Sequence, residues 1–264
     1  MNKLSEIDLY LNEYWNNSKI KEGDSILLHA NASRLVKNCL KIDKNFQTNS
    51  ILRTLLAKIG PTGTIIVPTF SFKSIENKFF DIKKTPSEMG LISELVRKNP
   101  VSVRTGHPVY SFAVMGSKKD LFKNVDNEDA FSIYSPFKII HNMNCKIAIM
   151  DLPDSKSMTF YHYIEQMNSV KYRFIKKFSF NYNNLKNEIL KKEYSIFVRD
   201  LEKKVVTDVD RAGDFLWEQK IYKGDKPKIN TGIRVANAKE IFDAISKIIK
   251  KNNAIKYLYS YKMN

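Results

Sequence analysis

Three side chains in one predicted helix carry the groups that the acylation of an amine requires. Thr159, His162 and Glu165 follow one another at intervals of three residues, so a helix places them along a shared side. An imidazole titrates near neutral pH and can take a proton from an ammonium group. A carboxylate can orient that ring or attract a cationic substrate, and a hydroxyl can donate to a developing oxyanion.

Two other interpretations of the His162–Glu165 pair stay open on this pattern alone. A histidine and a glutamate three residues apart on a helix often form only a surface pair. The same spacing occurs in one half of a carboxylate-bridged di-metal site, but no second motif of this kind is present. No clustered Cys/His spacing indicates zinc, and we predict no metal site.

Two further histidines stand where a ligand could reach them. His107 lies in a Gly-His-Pro turn between predicted strands, at a sheet edge where α/β proteins bind ligands. A turn histidine that bonds to the backbone explains the same pattern. His29 ends the first predicted strand and opens a loop of small and polar residues, Ala30, Asn31, Ala32 and Ser33, which would let a ligand approach the backbone. A loop that simply caps the next helix is an equal alternative.

The remaining reactive residue types form no recognisable site. No G-x-S-x-G motif marks a serine nucleophile. Cys39 and Cys145 lie among apolar residues, which raise the pKa of a thiol and make it unreactive, and two cysteines are too few for a disulfide framework. His141 is expected to be structural or exposed.

Short apolar runs alternate with helical patterns along the chain. Such runs between turn signals predict strands over 25–30, 64–68, 101–103, 110–115 and 146–150, with hairpins within 178–206. Apolar residues at helical spacing predict helices over 7–15, 50–59, 91–97, 159–167 and 238–250. The strand–helix–strand order implies a crossover connection, although no G-x-G-x-x-G follows a strand. We predict an α/β fold in which residues 1–264 form a single domain.

The formal net charge of +16 allows two interpretations. One is a polyanionic partner such as nucleic acid; the other is a lysine-rich bias that solvates the surface. We favour the second, because lysine greatly outnumbers arginine, the residue that dedicated nucleic-acid sites prefer. No apolar run approaches the length of a membrane span, and the first residues lack the apolar stretch of a signal peptide. We therefore expect a soluble cytoplasmic protein with no nucleic-acid or membrane partner.

Taken in order, several segments resemble the aminoglycoside 3-N-acetyltransferase family, whose fold is unrelated to that of the common GNAT enzymes. The similar segments run through most of the chain and comprise Leu28-His29, Gly60-Pro-Thr-Gly-Thr-Ile-Ile-Val-Pro-Thr-Phe70, Gly90, Arg104-Thr-Gly-His-Pro-Val-Tyr-Ser111, Ser135-Pro136, Thr159-Phe-Tyr-His-Tyr-Ile-Glu165 and Val170-Lys-Tyr-Arg173. The resemblance implies a three-layer α/β/α sandwich with a central mixed sheet, acetyl-CoA as the acyl donor and an amino sugar as the acceptor. It is compatible with a homodimer.

The same resemblance assigns expected roles to individual residues. His162 would be the general base, Glu165 its partner or an amine-binding carboxylate, and Thr159 the group that stabilises the thioester oxyanion. His107 would lie at the reaction centre or just behind it. The CoA path would be lined by His29, Ala30, Asn31, Ser33, Arg104, Ser111 and Phe112.

The sequence departs from the family pattern in ways that bear on the acceptor. Ala30-Asn31 replaces a serine pair, and Met150-Asp-Leu-Pro153 stands where a glycine is expected. A chain at +16 matches a polycation poorly, so we predict a nucleotide-linked amino sugar for surface-glycan biosynthesis ahead of an aminoglycoside antibiotic. The alternatives are an aminoglycoside 3-N-acetyltransferase that confers resistance, and a non-catalytic basic binding protein with this fold.

Overall fold

In the computed structural model, which describes residues 5–262, strands and helices alternate along the chain. The strands are β1 (Ser25–Ala30), β2 (Thr64–Pro68), β3 (Phe79–Asp81), β4 (Val103–Arg104), β5 (Phe112–Gly116), β6 (Lys146–Met150), β7 (Arg173–Asn183), β8 (Ile189–Arg199), β9 (Val205–Thr207), β10 (Lys223–Gly224), β11 (Ile233–Asn237) and β12 (Tyr259–Tyr261). The helices are α1 (Glu6–Asn17), α2 (Ser33–Ile42), α3 (Asn49–Ile59), α4 (Lys73–Asn77), α5 (Leu91–Lys98), α6 (Pro136–Asn142), α7 (Phe160–Met167), α8 (Asp210–Glu218), α9 (Ala238–Lys250) and α10 (Ala254–Tyr257).

The largest sheet is mixed, with the strand order β10-β11-β6-β1-β2-β5-β4. Its centre is parallel: Leu27 of β1 lies opposite Ile66 of β2 on one side and Ile147 of β6 on the other. The outer strands β5, β4, β11 and β10 pair antiparallel. Parallel strands with both faces covered are apolar throughout, which is why short apolar runs could be recognised as strands. The predicted central mixed sheet is confirmed.

Helices cover both faces of this sheet. Because successive side chains of a strand point to opposite faces, Ile26 and Leu28 pack with α1, α2, α3 and α5. Leu27, between them, packs on the other side with α6, α7, α8 and α9. Two apolar cores therefore enclose the sheet, as expected of a three-layer α/β/α sandwich. No helix within residues 5–262 is long and apolar enough to cross a membrane.

Two features of the topology were not predicted. Helix α2 begins three residues after the last residue of β1, and β11 joins the central sheet antiparallel to β6. The predicted hairpins lie in one long β7–β8 pair, which forms a separate sheet with β3. The carboxyl ends of β1, β2 and β6 meet at one edge of the central sheet, where α/β proteins place ligands.

Candidate active site

Three cavities adjoin one another beside the carboxyl ends of the parallel strands. The loop cavity, of about 470 Å³, is lined by 29–33 and 88–91 among other residues. The middle cavity, of about 300 Å³, shares Met89 and Lys156 with it. The hairpin cavity, of about 690 Å³, is lined mainly by β7, β8 and the turn after β8, and shares Tyr110 and His162 with the middle cavity. The three cavities form one cleft, and His162 lies at the junction between its middle and hairpin parts.

The ring of His162 is held by a carboxylate on its own helix. Its Nδ1 lies 2.8 Å from Oε2 of Glu165, one turn further along α7. Since an ionised carboxylate only accepts hydrogen bonds, Nδ1 carries the proton and Nε2 keeps its lone pair. Nε2 makes no hydrogen bond to any described residue, while the edge of the ring packs on Phe131 with centroids 5.7 Å apart. The predicted His162–Glu165 pair thus forms, and it lies in the cleft rather than on an open surface.

Glu165 is completely buried and has two further partners outside the helix. Nε of Arg173 lies 2.8 Å from Oε2, and the hydroxyl of Tyr172 donates to Oε1 at 2.9 Å. Arg173 is itself anchored, because its guanidinium donates to the Phe197 carbonyl and to the Thr207 hydroxyl. A buried carboxylate needs such compensation, since an unpaired buried charge costs several kcal/mol. The result is a rigid array that orients the imidazole.

This array also sets the charge states. Burial alone would raise the pKa of Glu165, but Arg173 and the hydrogen bonds from His162 and Tyr172 lower it below the usual value. Burial lowers the pKa of His162, and the charge of Arg173 lowers it further, against the opposing effect of Glu165. At neutral pH the carboxylate is therefore ionised and the imidazole neutral, the state that a general base requires.

Thr159 immediately precedes α7 and lines the middle cavity together with His162. The backbone N–H of His162 donates to the Thr159 carbonyl at 3.0 Å. The Thr159 hydroxyl has no hydrogen-bond partner among residues 5–262. A hydroxyl at the start of this helix is thus available to a ligand beside the imidazole, and its predicted contact with the thioester oxygen stays a prediction.

The loop after β1 occupies the other end of the cleft. His29, Ala30, Asn31 and Ser33 all line the loop cavity, so the structure brings this predicted set together. His29 is buried, and its Nε2 has no partner among the described residues. Burial, aided by the charge of Arg234, lowers the pKa of His29 to about 3, so the ring is neutral. A buried polar atom without a partner beside a cavity is a position for a ligand hydrogen bond.

His107 forms the hydrogen bonds of a turn histidine that binds to the backbone, one of the two interpretations that its sequence context allows. Its ring is completely buried, and its Nδ1 accepts hydrogen bonds from the backbone N–H groups of Val109 and Tyr110. Nε2 consequently carries the proton and donates to the Ser195 carbonyl at 3.2 Å. No lone pair is left for substrate, because Nδ1 binds the backbone of its own turn and Nε2 binds β8. His107 lies behind Tyr110, which lines the cleft, with ring centroids 6.1 Å apart.

The structure places the side chains of Arg104, Ser111 and Phe112 away from the predicted CoA path. The guanidinium of Arg104 donates to the carbonyls of Ile82, Thr85 and Thr69, and its Nε donates to Ser111 Oγ. Ser111 and Phe112 are completely buried. None of the three lines the three cavities. Their polar groups are used by neighbouring loops, so the contacts indicate a structural role.

The two buried neutral histidines predict that acid destabilises the fold. In the unfolded chain both histidines bind protons near pH 6.5, whereas burial lowers the pKa of His29 to about 3 and that of His107 to about 4. The free energy of unfolding is therefore highest above pH 6.5. It decreases as the pH falls, by up to about 1.4 kcal/mol per pH unit for each histidine. Denaturant unfolding at pH 7.5, 6 and 5 measures this slope, and His29→Gln should reduce it. A free energy of unfolding that stays constant from pH 7.5 to 5 would contradict the assignment.

A second buried charge cluster holds the segment that leads into α7. Oδ2 of Asp154 accepts hydrogen bonds from the hydroxyls of Tyr161 at 2.6 Å and Tyr222 at 2.8 Å. Its Oδ1 accepts from Nη2 of Arg234 at 2.5 Å, and Nη1 of that arginine donates to the Leu152 carbonyl. The cluster connects β11, α7 and the turn beside the middle cavity.

Sequence reasoning assigned no role to Arg173, Tyr172 or Asp154. Tyr172 and Arg173 lie within a segment of the family resemblance, but their contact with Glu165 depends on where β7 begins relative to α7. The available signal was Arg173 itself, a charged residue at the start of a segment that is otherwise typical of a β-strand. Among residues 5–262, no group of three His, Cys, Asp or Glu side chains is arranged to hold a metal ion.

Comparisons with known proteins agree with this architecture. A family model described as aminoglycoside 3-N-acetyltransferase matches residues 27–250. No curated protein sequence matches the chain. The fold is similar to that of aminoglycoside acetyltransferase AAC(3)-Xa, with a TM-score of 0.76, 16% identity and 92% of each chain covered.

Two further solved structures show the same fold. AAC-IIIb, determined as a binary complex with CoASH, has a TM-score of 0.72 and 17% identity, covering 93% of this chain and 96% of that one. AAC-VIa, determined with sisomicin bound, has a TM-score of 0.74 and 16% identity, covering 94% and 98%.

Proposed function

Because the chain belongs to the aminoglycoside 3-N-acetyltransferase family, we propose that it transfers the acetyl group of acetyl-CoA to an amine of an amino sugar. The observation that carries the proposal is the neutral His162, held by the buried Glu165–Arg173 pair at the junction of two cavities. A histidine–glutamate pair that lies only on the surface would not be buried and would need no arginine to compensate its carboxylate. An oriented imidazole with a free nitrogen is suited to accept a proton from a bound amine.

The loop cavity suits the donor. Its wall includes the small residues Ala30, Ala32 and Ser33, and a Cβ added at Gly90 would contact the Ala30 carbonyl at 3.8 Å. The unpartnered Nε2 of His29 can bond to a neutral amide, and Lys156 can bind a phosphate. When bound, acetyl-CoA supplies the activated acyl group as a thioester.

Each side chain of the site then contributes to one step of the acetyl transfer. Nε2 of His162 accepts a proton from the acceptor ammonium, so the amine nitrogen can bond to the thioester carbonyl carbon. The Thr159 hydroxyl donates to the carbonyl oxygen as negative charge develops there. The C–S bond breaks as the C–N bond is completed, and the second amine proton leaves with the CoA thiol. Glu165 stabilises the imidazolium that forms at His162.

For the acceptor, the comparisons support an aminoglycoside-type amino sugar better than the nucleotide-linked one predicted from net charge. Solved relatives include AAC(3)-IVa with a gentamicin and AAC-VIa with sisomicin. Aminoglycosides are therefore the acceptors with which the turnover of other amino sugars is compared.

The test is the release of CoA thiol from acetyl-CoA in the presence of sisomicin, gentamicin, apramycin, glucosamine and phosphorylated amino sugars. We expect amine-dependent turnover, with an acetylated amine as product by mass spectrometry. If no acceptor releases thiol although acetyl-CoA raises the melting temperature, another acyl acceptor is required. If acetyl-CoA does not bind, the proposed function is wrong.

A further inference from the structure

The hairpin cavity is walled largely by aromatic and aliphatic side chains. Phe72 and Phe174 line it and are 43% and 47% exposed, and Phe178, Ile196 and Val198 belong to the same wall. Exposed aromatic rings on one concave surface are typical of a binding site for a ring-shaped ligand. This wall lies beside His162, at the end of the cleft away from the loop cavity.

The unpaired charges of this cavity are mainly positive. Lys176 and Arg199 line it, and neither forms an ion pair within residues 5–262. The ammonium of Lys176 lies over the ring of Phe178, 5.5 Å from its centroid. Arg173 also contributes a positive charge, but the buried Glu165 compensates it.

The carboxylates of the cavity offset the charge of these cations only in part. Asp200 forms an ion pair with Lys203 at 2.7 Å, so its charge is already compensated. Glu202 lines the cavity without an ion-pair partner of its own among the described residues, next to the same lysine. One unpaired carboxylate thus faces two unpaired cations. A ligand with several ammonium groups would find little compensating charge here, since like charges close together are unfavourable.

The positive charge extends to the proposed base. Burial lowers the pKa of His162 most, and the charges of Arg173 and Arg199 lower it further. Arg199 is therefore close enough to His162 to repel other cations from the same place. A single acceptor ammonium loses its charge when it gives its proton to Nε2 of His162, whereas additional ammonium groups around it keep theirs and are disfavoured.

We propose that the acceptor is an amino sugar that carries a phosphate group, which Lys176 and Arg199 bind while the amine faces His162. This inference rests on the proposed N-acetyltransferase function and narrows its acceptor. The apolar side chains, chiefly Phe72 and Phe174, contact the sugar ring or a group attached to the phosphate. A sugar phosphate and a nucleotide-linked sugar both present this chemistry.

The experiment compares kcat/KM by thiol release for glucosamine, glucosamine 1-phosphate, UDP-linked glucosamine and the aminoglycoside sisomicin. We expect at least one phosphorylated acceptor to exceed both glucosamine and sisomicin by about 10-fold or more. Lys176→Ala and Arg199→Ala should each lower the ratio of kcat/KM between phosphorylated and unphosphorylated glucosamine by roughly 10-fold, since each loses a charge-assisted hydrogen bond. The matched control is Lys177→Ala, because Lys177 pairs with Glu193 and does not line the cavity.

Each outcome has a separate meaning. A preference for UDP-linked glucosamine over the sugar phosphate, or the reverse, supports the proposal and identifies the source of the phosphate. Turnover of sisomicin ahead of all phosphorylated acceptors, or ratios that neither variant changes, overturns the proposal but leaves the acetyltransferase function intact. The absence of thiol release with every acceptor contradicts the proposed function itself.

Discussion

Replacing His162 by alanine should lower kcat for amine acetylation by about 10²–10⁴-fold, the range that general base catalysis contributes. The reason is that Nε2 of His162 is the unprotonated, unpartnered nitrogen at the junction of the middle and hairpin cavities. Acetyl-CoA should still bind, because the loop cavity is formed by other residues. Thiol release measures kcat, and a thermal shift with CoA measures donor binding.

His162→Gln tests the proton transfer more specifically than His162→Ala does. Glutamine can still donate to Glu165 and fill the site, but it has no nitrogen that accepts a proton near neutral pH. In the wild type, kcat/KM should fall as the pH drops through the pKa of His162, which burial and Arg173 hold below its usual value. The acidic limb therefore lies below about pH 6.5. That limb should be missing from the residual activity of His162→Gln.

Retention of wild-type kcat in His162→Gln would assign the base elsewhere. His107 is a poor substitute, because backbone N–H groups occupy its lone pair. Glu165→Gln gives a second check. It keeps the shape of the side chain but removes the charge that compensates Arg173 and stabilises the imidazolium, so both kcat and stability should decrease.

The sequence was sufficient to predict how the side chains of one element are arranged. Thr159, His162 and Glu165 share α7 and the residue before it, so the period of a helix determines their relation before any tertiary structure is known. The loop from His29 to Ser33 was similarly predictable, because ligands bind where parallel strands end. The central strands could be recognised since each is apolar on both faces.

The roles of the other predicted residues depend on contacts between segments that are distant in the sequence. Whether His107 is a base or a structural residue is decided by its bonds to Tyr110 and to Ser195, 88 residues away. The predicted contact of Arg104 with CoA is replaced by bonds to three carbonyls that only the folded loops bring together. The net charge of the whole chain likewise could not reveal the charge of one cavity, which Lys176 and Arg199 determine locally.

Replacing Asp154 by alanine should lower the free energy of unfolding by about 3–5 kcal/mol. The change leaves the guanidinium of Arg234, whose side chain is only 2% exposed, without its counter-charge. It also leaves the hydroxyls of Tyr161 and Tyr222 without their acceptor. Equilibrium denaturation by urea, followed by circular dichroism, measures the loss. Asp214→Ala is the matched control, because Asp214 is exposed and has no ion-pair partner in the described chain, so its removal should change stability by less than about 0.5 kcal/mol.

Asp154→Asn separates the charge from the hydrogen bonds. The amide oxygen can still accept from a tyrosine, so this variant should fold at room temperature while losing the compensation of Arg234. The segment from Asp154 to Thr159 borders the middle cavity and leads into α7, so a small displacement there moves the Thr159 hydroxyl relative to His162. We therefore expect a lower kcat with a nearly unchanged KM for acetyl-CoA, because geometry matters most in the transition state. Wild-type stability in Asp154→Ala would show that Arg234 reaches solvent or another carboxylate, and would remove the link between this cluster and the site.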